Sequence, residues 1–153
     1  SDKQISLGYA NSLLFELEKA FWDERGKGAR FRTTTVGREF FHERCLPEIR
    51  SDEMGDILGA LKGVLQREGM TADITYTQED RLLRVRIERC VHRAIEEKLI
   101  ARGVEPFTCV PANLIALAIE EKLDRPVELA EVKVDEGGCQ LLLVVFEGRP
   151  TLV

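Results

Sequence analysis

The sequence predicts an α+β fold, an antiparallel sheet of two hairpins packed against helices. Apolar residues recur every three or four positions up to Gly69. They then alternate with period two, first on either side of Gln78-Glu79-Asp80 and again on either side of Asp135-Glu136-Gly137-Gly138. Helical patterns gathered before and between the hairpins, with no strand–helix–strand alternation, exclude a doubly wound parallel sheet. A chain of 153 residues buries about two thirds of its unfolded surface. That suits one domain over 1–153, with amino-terminal helices in 5–69 and the hairpins and a buried helix in 70–147.

Leu7, Ala10, Leu14, Leu17 and Phe21 line one face of a helix over 5–23, which Gly26-Lys27-Gly28 breaks. A loop or short extended segment is expected at 30–35, then a second helix from Thr35 through Phe40, Phe41 and Cys45 until Pro47 disturbs it. Ser51 caps a third helix, with Met54, Ile57, Leu58, Leu61 and Leu65 on one face. Gly55, Gly59 and Gly63 form a separate stripe on it. Each interior glycine costs about 1 kcal/mol against alanine. The stripe therefore implies close approach of another backbone, through tight packing within the domain or through a homodimer contact.

Ala72, Ile74 and Tyr76 alternate with polar residues, as do Leu83, Val85 and Ile87, giving the first hairpin. A charged helix is expected over 91–102, ended by Gly103. Thr108 or Cys109 caps the next helix, Pro111 lies in its first turn, and its body over 112–119 is apolar almost all round. Such a helix belongs in the middle of the fold. Strands over 127–134 and 140–146 form the second hairpin. The latter is apolar on both faces, so it is expected to be central, with helices on one side and a further covering on the other.

Twenty-two Lys and Arg against 27 Asp and Glu give a formal charge of −5. A duplex nucleic-acid binder carries a basic face, whereas Arg81, Arg84, Arg86, Arg89 and Arg93 are interleaved with apolar residues and acids. Nucleic acid is not an expected partner. No apolar run reaches the ~18 residues of a membrane span, and the amino end carries no signal-peptide pattern, so the expectation is a cytoplasmic protein without a membrane span. Cys45, Cys90, Cys109 and Cys139 stand far apart and read as reduced thiols or metal ligands, not as a disulfide framework.

No phosphate-cradling glycine loop, dinucleotide fingerprint, nucleophile elbow or close CxxC pair is present. Neither His42 nor His92 lies in a motif that makes it a general base, and His42 reads as a surface residue. The candidate constellation is Cys90, Cys109, Glu131 and Cys139. Strict alternation along the strand from Val127 turns Glu131 inward beside Val127 and Leu129, and a buried carboxylate needs a partner. Cys139 opens the next strand, and Cys109 stands at a helix start, where the dipole favours thiolate. Thiolates and a carboxylate can hold zinc. The alternative is that Glu131 lies at a bulge facing water and the thiols are small core residues.

Pro106-Phe107-Thr108-Cys109 ahead of the buried helix, then Arg125-Pro126-Val127-Glu128, Glu131, and Gly138-Cys139 ahead of an apolar strand form a recognisable series. It resembles the vinyl-reductase-like small-molecule-binding domain, a superfamily shared with TRAPP trafficking subunits and the sensory domains of phenol-responsive activators. The likeness is best over 71–147. It implies an α/β plait that dimerises and encloses a hydrophobic ligand pocket between helices and sheet. The zinc ligands of sensory members carry over to Cys109, Glu131, Val134 and Cys139. Valine cannot bind a metal, so a retained zinc site would need Cys90, His92 or water as its fourth ligand.

Phe21, Trp22, Phe40, Phe41, Tyr76 and Phe107 are the expected pocket residues, large apolar surfaces on elements that should pack against the sheet. The expected function is a non-catalytic hydrophobic-ligand-binding or sensory domain, a homodimer acting on a partner protein. One alternative is an assembly scaffold of the trafficking-subunit type. Another is an enzyme or accessory protein of tetrapyrrole metabolism, which the absence of an acid–base pair disfavours. The ligand-binding reading expects a closed apolar cavity beneath the helix that follows Pro111.

Overall fold

The computed structural model describes residues 4–148, so the ends of the expected domain, 1–3 and 149–153, lie outside the described residues. The helices are α1 Leu7–Arg25, α2 Ala29–Arg32, α3 Arg38–Phe40, α4 Met54–Arg67, α5 Arg93–Ala101 and α6 Val110–Leu123. The strands are β1 Asp73–Glu79, β2 Leu82–Glu88, β3 Val127–Asp135 and β4 Gly138–Val145. The fold class is the α+β class that the periodicity predicts.

The two hairpins join into one antiparallel sheet of order β1-β2-β4-β3, in which β2 and β4 pair from Leu82↔Val144 to Glu88↔Gly138. Each strand sends alternate residues to the helices. Leu83, Val85 and Ile87 of β2 and Cys139, Leu141, Leu143 and Val145 of β4 are buried. Gly138 is obligatory, because a Cβ there would collide with the Ile87 carbonyl oxygen. The outer face of β4, with Leu142 and Val144, is only half-buried. No described helix lies over it, and its neighbours on β2 include Arg84 and Arg86. Partial cover by adjacent long side chains thus replaces the second layer expected there.

The β3 register slips between Leu129 and Glu131. Leu129 pairs with Leu143, whereas Glu131 pairs with Leu142 and Val132 with Leu141, so Ala130 is the extra residue of a bulge. Beyond it the strand changes parity. Val132 and Val134 turn toward the core side, and Glu131 points to the outer face.

Helix α6 is the centre of the helical layer, with Pro111 to Ile115, Ala118 and Ile119 all buried. Asp124, left-handed at φ 52°, ends it. Its one buried amide side chain is tied, since Asn113 Nδ2 donates to the carbonyls of Thr33 and Val36, both at 3.0 Å. Helix α4 covers the sheet with Ile57, Leu58, Leu61, Val64 and Leu65. Gly59 lies two residues from both Ile57 and Leu61, about 200° around the helix. The glycine stripe therefore faces outward, with open space at Gly59 and Gly63 and only the Tyr76 hydroxyl near Gly55. Packing within the domain is not what the stripe serves.

Between α1 and α4 the chain stays helical over much of its length. A 3-10 turn at Gly26–Gly28 leads into α2, so the expected loop or extended segment at 30–35 is helical up to Arg32. Past α3 the helix widens into a π turn over Phe41–Cys45 and tightens to 3-10 at Leu46–Glu48, where Pro47 interrupts it. Ser6 caps α1 by accepting the Tyr9 N–H at 3.1 Å. No residue of α1 is fully buried, and Leu7, Leu14 and Leu17 of its expected inner face are exposed. Helix α1 packs on α5, and a separate small core of Ala29, Ile95, Leu99, Val104 and Phe107 lies under it.

Candidate functional site

The same apolar spacing that makes α1 amphipathic places Leu14, Leu17, Glu18 and Phe21 along one wall of a cleft of about 190 Å³. The opposite wall comes from α5 and the residues before it, His92, Ile95 and Glu96. Phe107 and Thr108 ahead of α6, Val110 at its start, and Thr33 and Val36 complete the lining. Phe107 stacks on Phe21 at 6.3 Å and meets Trp22 at 5.5 Å between centroids. The Thr33 hydroxyl donates to Ala29 O at 3.2 Å and lies 3.4 Å from Phe107 O. With the Asn113 bonds, these contacts fix the segment at 33–36 against α6.

The polar content of this apolar cleft is concentrated in two acids. Glu96 is 3% exposed, and the only hydrogen bond to its carboxyl among the described residues comes from the Cys139 thiol, 3.2 Å from Oε2. Burial pushes its pKa up. Glu18 is half-buried, and desolvation, then repulsion from Glu96, raises it from 4.5 to about 7. Burial lowers the pKa of His92, which favours the neutral ring. The Thr108 hydroxyl oxygen is buried with no hydrogen-bond partner among the described residues.

Behind Glu96 stand the thiols. Cys90, 3.7 Å from His92 Nδ1, is raised to about 11, chiefly by burial. Cys139 is raised too, first by burial and then by Glu96. Cys109 does not carry the thiolate its helix-start position suggests. It is 3% exposed, and desolvation pushes its pKa well up, outweighing the helix dipole. Three of the four expected metal residues therefore share one region, and the fourth does not. Glu131 sits across the sheet, exposed beside Lys133 at 3.3 Å. Among the described residues no three His, Cys, Asp or Glu side chains converge to hold a metal ion. The expected set of Cys90, Cys109, Glu131 and Cys139 is therefore not brought together, because Glu131 lies on the other face of the sheet.

Of the expected pocket aromatics, Phe21, Trp22 and Phe107 come together at the cleft. Phe41 is core, 1% exposed, and Phe40 packs against the same core. Tyr76 stands at the sheet edge near Gly55. The space also lies elsewhere than expected. Leu114, Ile115 and Ile119 fill the region under α6 with side chains, and the cleft opens beside the start of that helix. A second depression of about 370 Å³ on the open sheet face is more open and mixes apolar side chains with charged ones. Arg86 there is held by Asp135 at 2.7 Å, and Lys133 lies 3.3 Å from Glu131. His42 is exposed, its ring 5.4 Å from that of Phe41.

Glu18 and Glu96 escaped the sequence reading. Their signal was positional. Glu18 lies four residues after Leu14 and three before Phe21, and Glu96 lies four after His92 and three before Leu99. Both therefore fall on inward stripes.

The fold is α+β, and among the described residues its cleft beside α1 is a partly enclosed, mainly apolar recess bearing two carboxylates. The sequence matches no protein-family model, and comparison with curated proteins gives no match.

Proposed function

We propose that this chain is a non-catalytic module that binds a small hydrophobic molecule in the cleft between α1 and the α5–α6 junction. The resemblance of its motifs to the vinyl-reductase-like domain suggests the same kind of role. The observation that carries the reading is the cleft itself, about 190 Å³ and walled by Leu14, Leu17, Phe21, Val36, Ile95 and Phe107. Trp22 packs on Phe107 and is the chain's one tryptophan, so its emission reports occupancy. Titration with aromatics, fatty acids and tetrapyrroles should change that emission saturably for at least one class. No response to any of them, with nothing apolar released on extracting the purified protein, would end the reading.

Helix α1 supports a second reading, assembly with another protein or a second copy. It leaves Leu7, Leu13 and Leu17 exposed along its length, with Ile5 ahead of it and Val36 beside the cleft. Mass in solution across a concentration series tests it. A strictly monomeric chain that captures no other protein would remove this reading and leave the first intact.

A further inference from the structure

Glu96 is the side chain that the domain's own contacts leave least provided for. A buried carboxylate needs a cation or several hydrogen-bond donors, and this one has a single weak thiol donor among the described residues. Glu18 faces the same cleft from α1. The lining holds no lysine or arginine. The cations nearest in sequence are engaged elsewhere, Lys19 with Asp23 at 2.6 Å, Arg93 with Glu97 at 3.2 Å, and Lys98 and Arg102 over the Phe15 ring. The Thr108 hydroxyl, also on the lining, is buried without a partner among the described residues. Two carboxylates and a hydroxyl oxygen in an apolar recess thus have one weak donor between them among the described residues, the Cys139 thiol on Glu96.

We propose that the cleft takes a compact apolar molecule bearing one ammonium head, seated with its charge between Glu18 and Glu96 and its hydrocarbon against Leu14, Phe21, Ile95 and Phe107. This deepens the ligand-binding reading and rests on it. An ammonium group brings the charge and N–H donors that the two acids and Thr108 need, and the apolar walls keep the attraction unscreened. A carboxylate ligand would meet two acids and be repelled. A neutral ligand would gain the hydrophobic contacts alone. The groups facing the acids are Cys139 of β4, Cys109 at the start of α6, Cys90 and His92 ahead of α5, and Arg93 and Glu97 on α5 itself. Among these only Arg93 carries a positive charge; Glu97 pairs with its Nη2, and its Nε is buried without a hydrogen-bond partner among the described residues.

The test compares hexylammonium, 1-hexanol and hexanoate on the full chain, by calorimetry and Trp22 emission, at a pH of about 8. Hexylammonium is expected to bind about tenfold or more tighter than hexanol, with hexanoate weakest. Glu96→Gln should bring hexylammonium down to the affinity of hexanol and leave hexanol unchanged, with Glu18→Gln giving a partial loss. Binding of all three with hexanol equal to hexylammonium would overturn the ammonium site while leaving the ligand-binding reading standing. Failure of all three, with no other hydrophobic ligand found, would overturn both. A Glu96→Gln protein that unfolds is replaced in the comparison by Glu18→Gln, whose side chain is only half-buried. An unchanged preference for the ammonium in that variant would equally refute the assignment.

Discussion

Replacing Glu18 by glutamine should alter how stability depends on pH, in a direction the cleft dictates. Glu18 has an ordinary value of 4.5 and a folded value of about 7. Between these the folded chain holds a proton that the unfolded chain releases, so its stabilisation is complete below about 4.5 and lost as pH rises through 7. The gap corresponds to about 3 kcal/mol at full burial. Because the side chain is half-buried, solvent screening reduces that to about 1–2 kcal/mol. His92 acts in the opposite sense, since its lowered pKa costs stability as pH falls below about 6.5. That effect is common to both proteins and cancels in their difference. The neutral amide of the Glu18→Gln variant resembles the protonated acid. Urea denaturation should therefore find the two proteins alike near pH 5 and the variant more stable by about 1–2 kcal/mol near pH 8. Part of this gain comes from relief of Glu96, which Glu18 faces. Parallel stability curves, or a variant weaker at high pH, would refute the desolvated acid pair.

Asn113→Leu removes the donor that two carbonyls of the segment at 33–36 share, and should cost about 2–4 kcal/mol in thermal or urea unfolding; a neutral result would mean those bonds are not made. Gly138→Ala forces β4 away from the Ile87 carbonyl and should destabilise by about 3 kcal/mol or more, read as loss of soluble folded protein or a large fall in melting temperature. Gly59→Ala meets open space and should stabilise a monomer by about 0.5–1 kcal/mol. If the protein pairs through that stripe, the same change would instead weaken association, visible as a lower mass in solution. Protein expressed with added zinc and then dialysed should carry well under one equivalent of metal, because no three ligating side chains converge among the described residues and Glu131 is across the sheet. One tightly held zinc per chain would overturn that account.

Much of the architecture is local, and local physics is legible in a sequence. Period-two alternation on both sides of two turns required the hairpins. Apolar residues all round the segment after Pro111 required that helix to be central, and it is. Ser51 was close to its role as a cap, accepting the Glu53 N–H at 3.0 Å just ahead of α4. The misreadings share a cause, which is that alternation and spacing assume an unbroken element in a known setting. One extra residue at Ala130 makes the bulge that the second reading of Glu131 named, and turns that side chain outward instead of inward. Of the two contacts that the α4 glycines suggested, packing within the domain is set aside because the stripe faces away from the sheet.

The sequence by itself determined the elements, their order and the α+β class, since these follow from backbone periodicity and turn chemistry within a few residues. Tertiary structure alone decided that α1 leans on α5 instead of sealing the core, and that Phe21, Trp22 and Phe107 meet while Phe40, Phe41 and Tyr76 lie elsewhere. It also made Glu18 and Glu96, 78 positions apart, neighbours in one dry recess. Their altered acidity comes from desolvation and mutual repulsion, which exist only once separate parts of the chain have excluded water together.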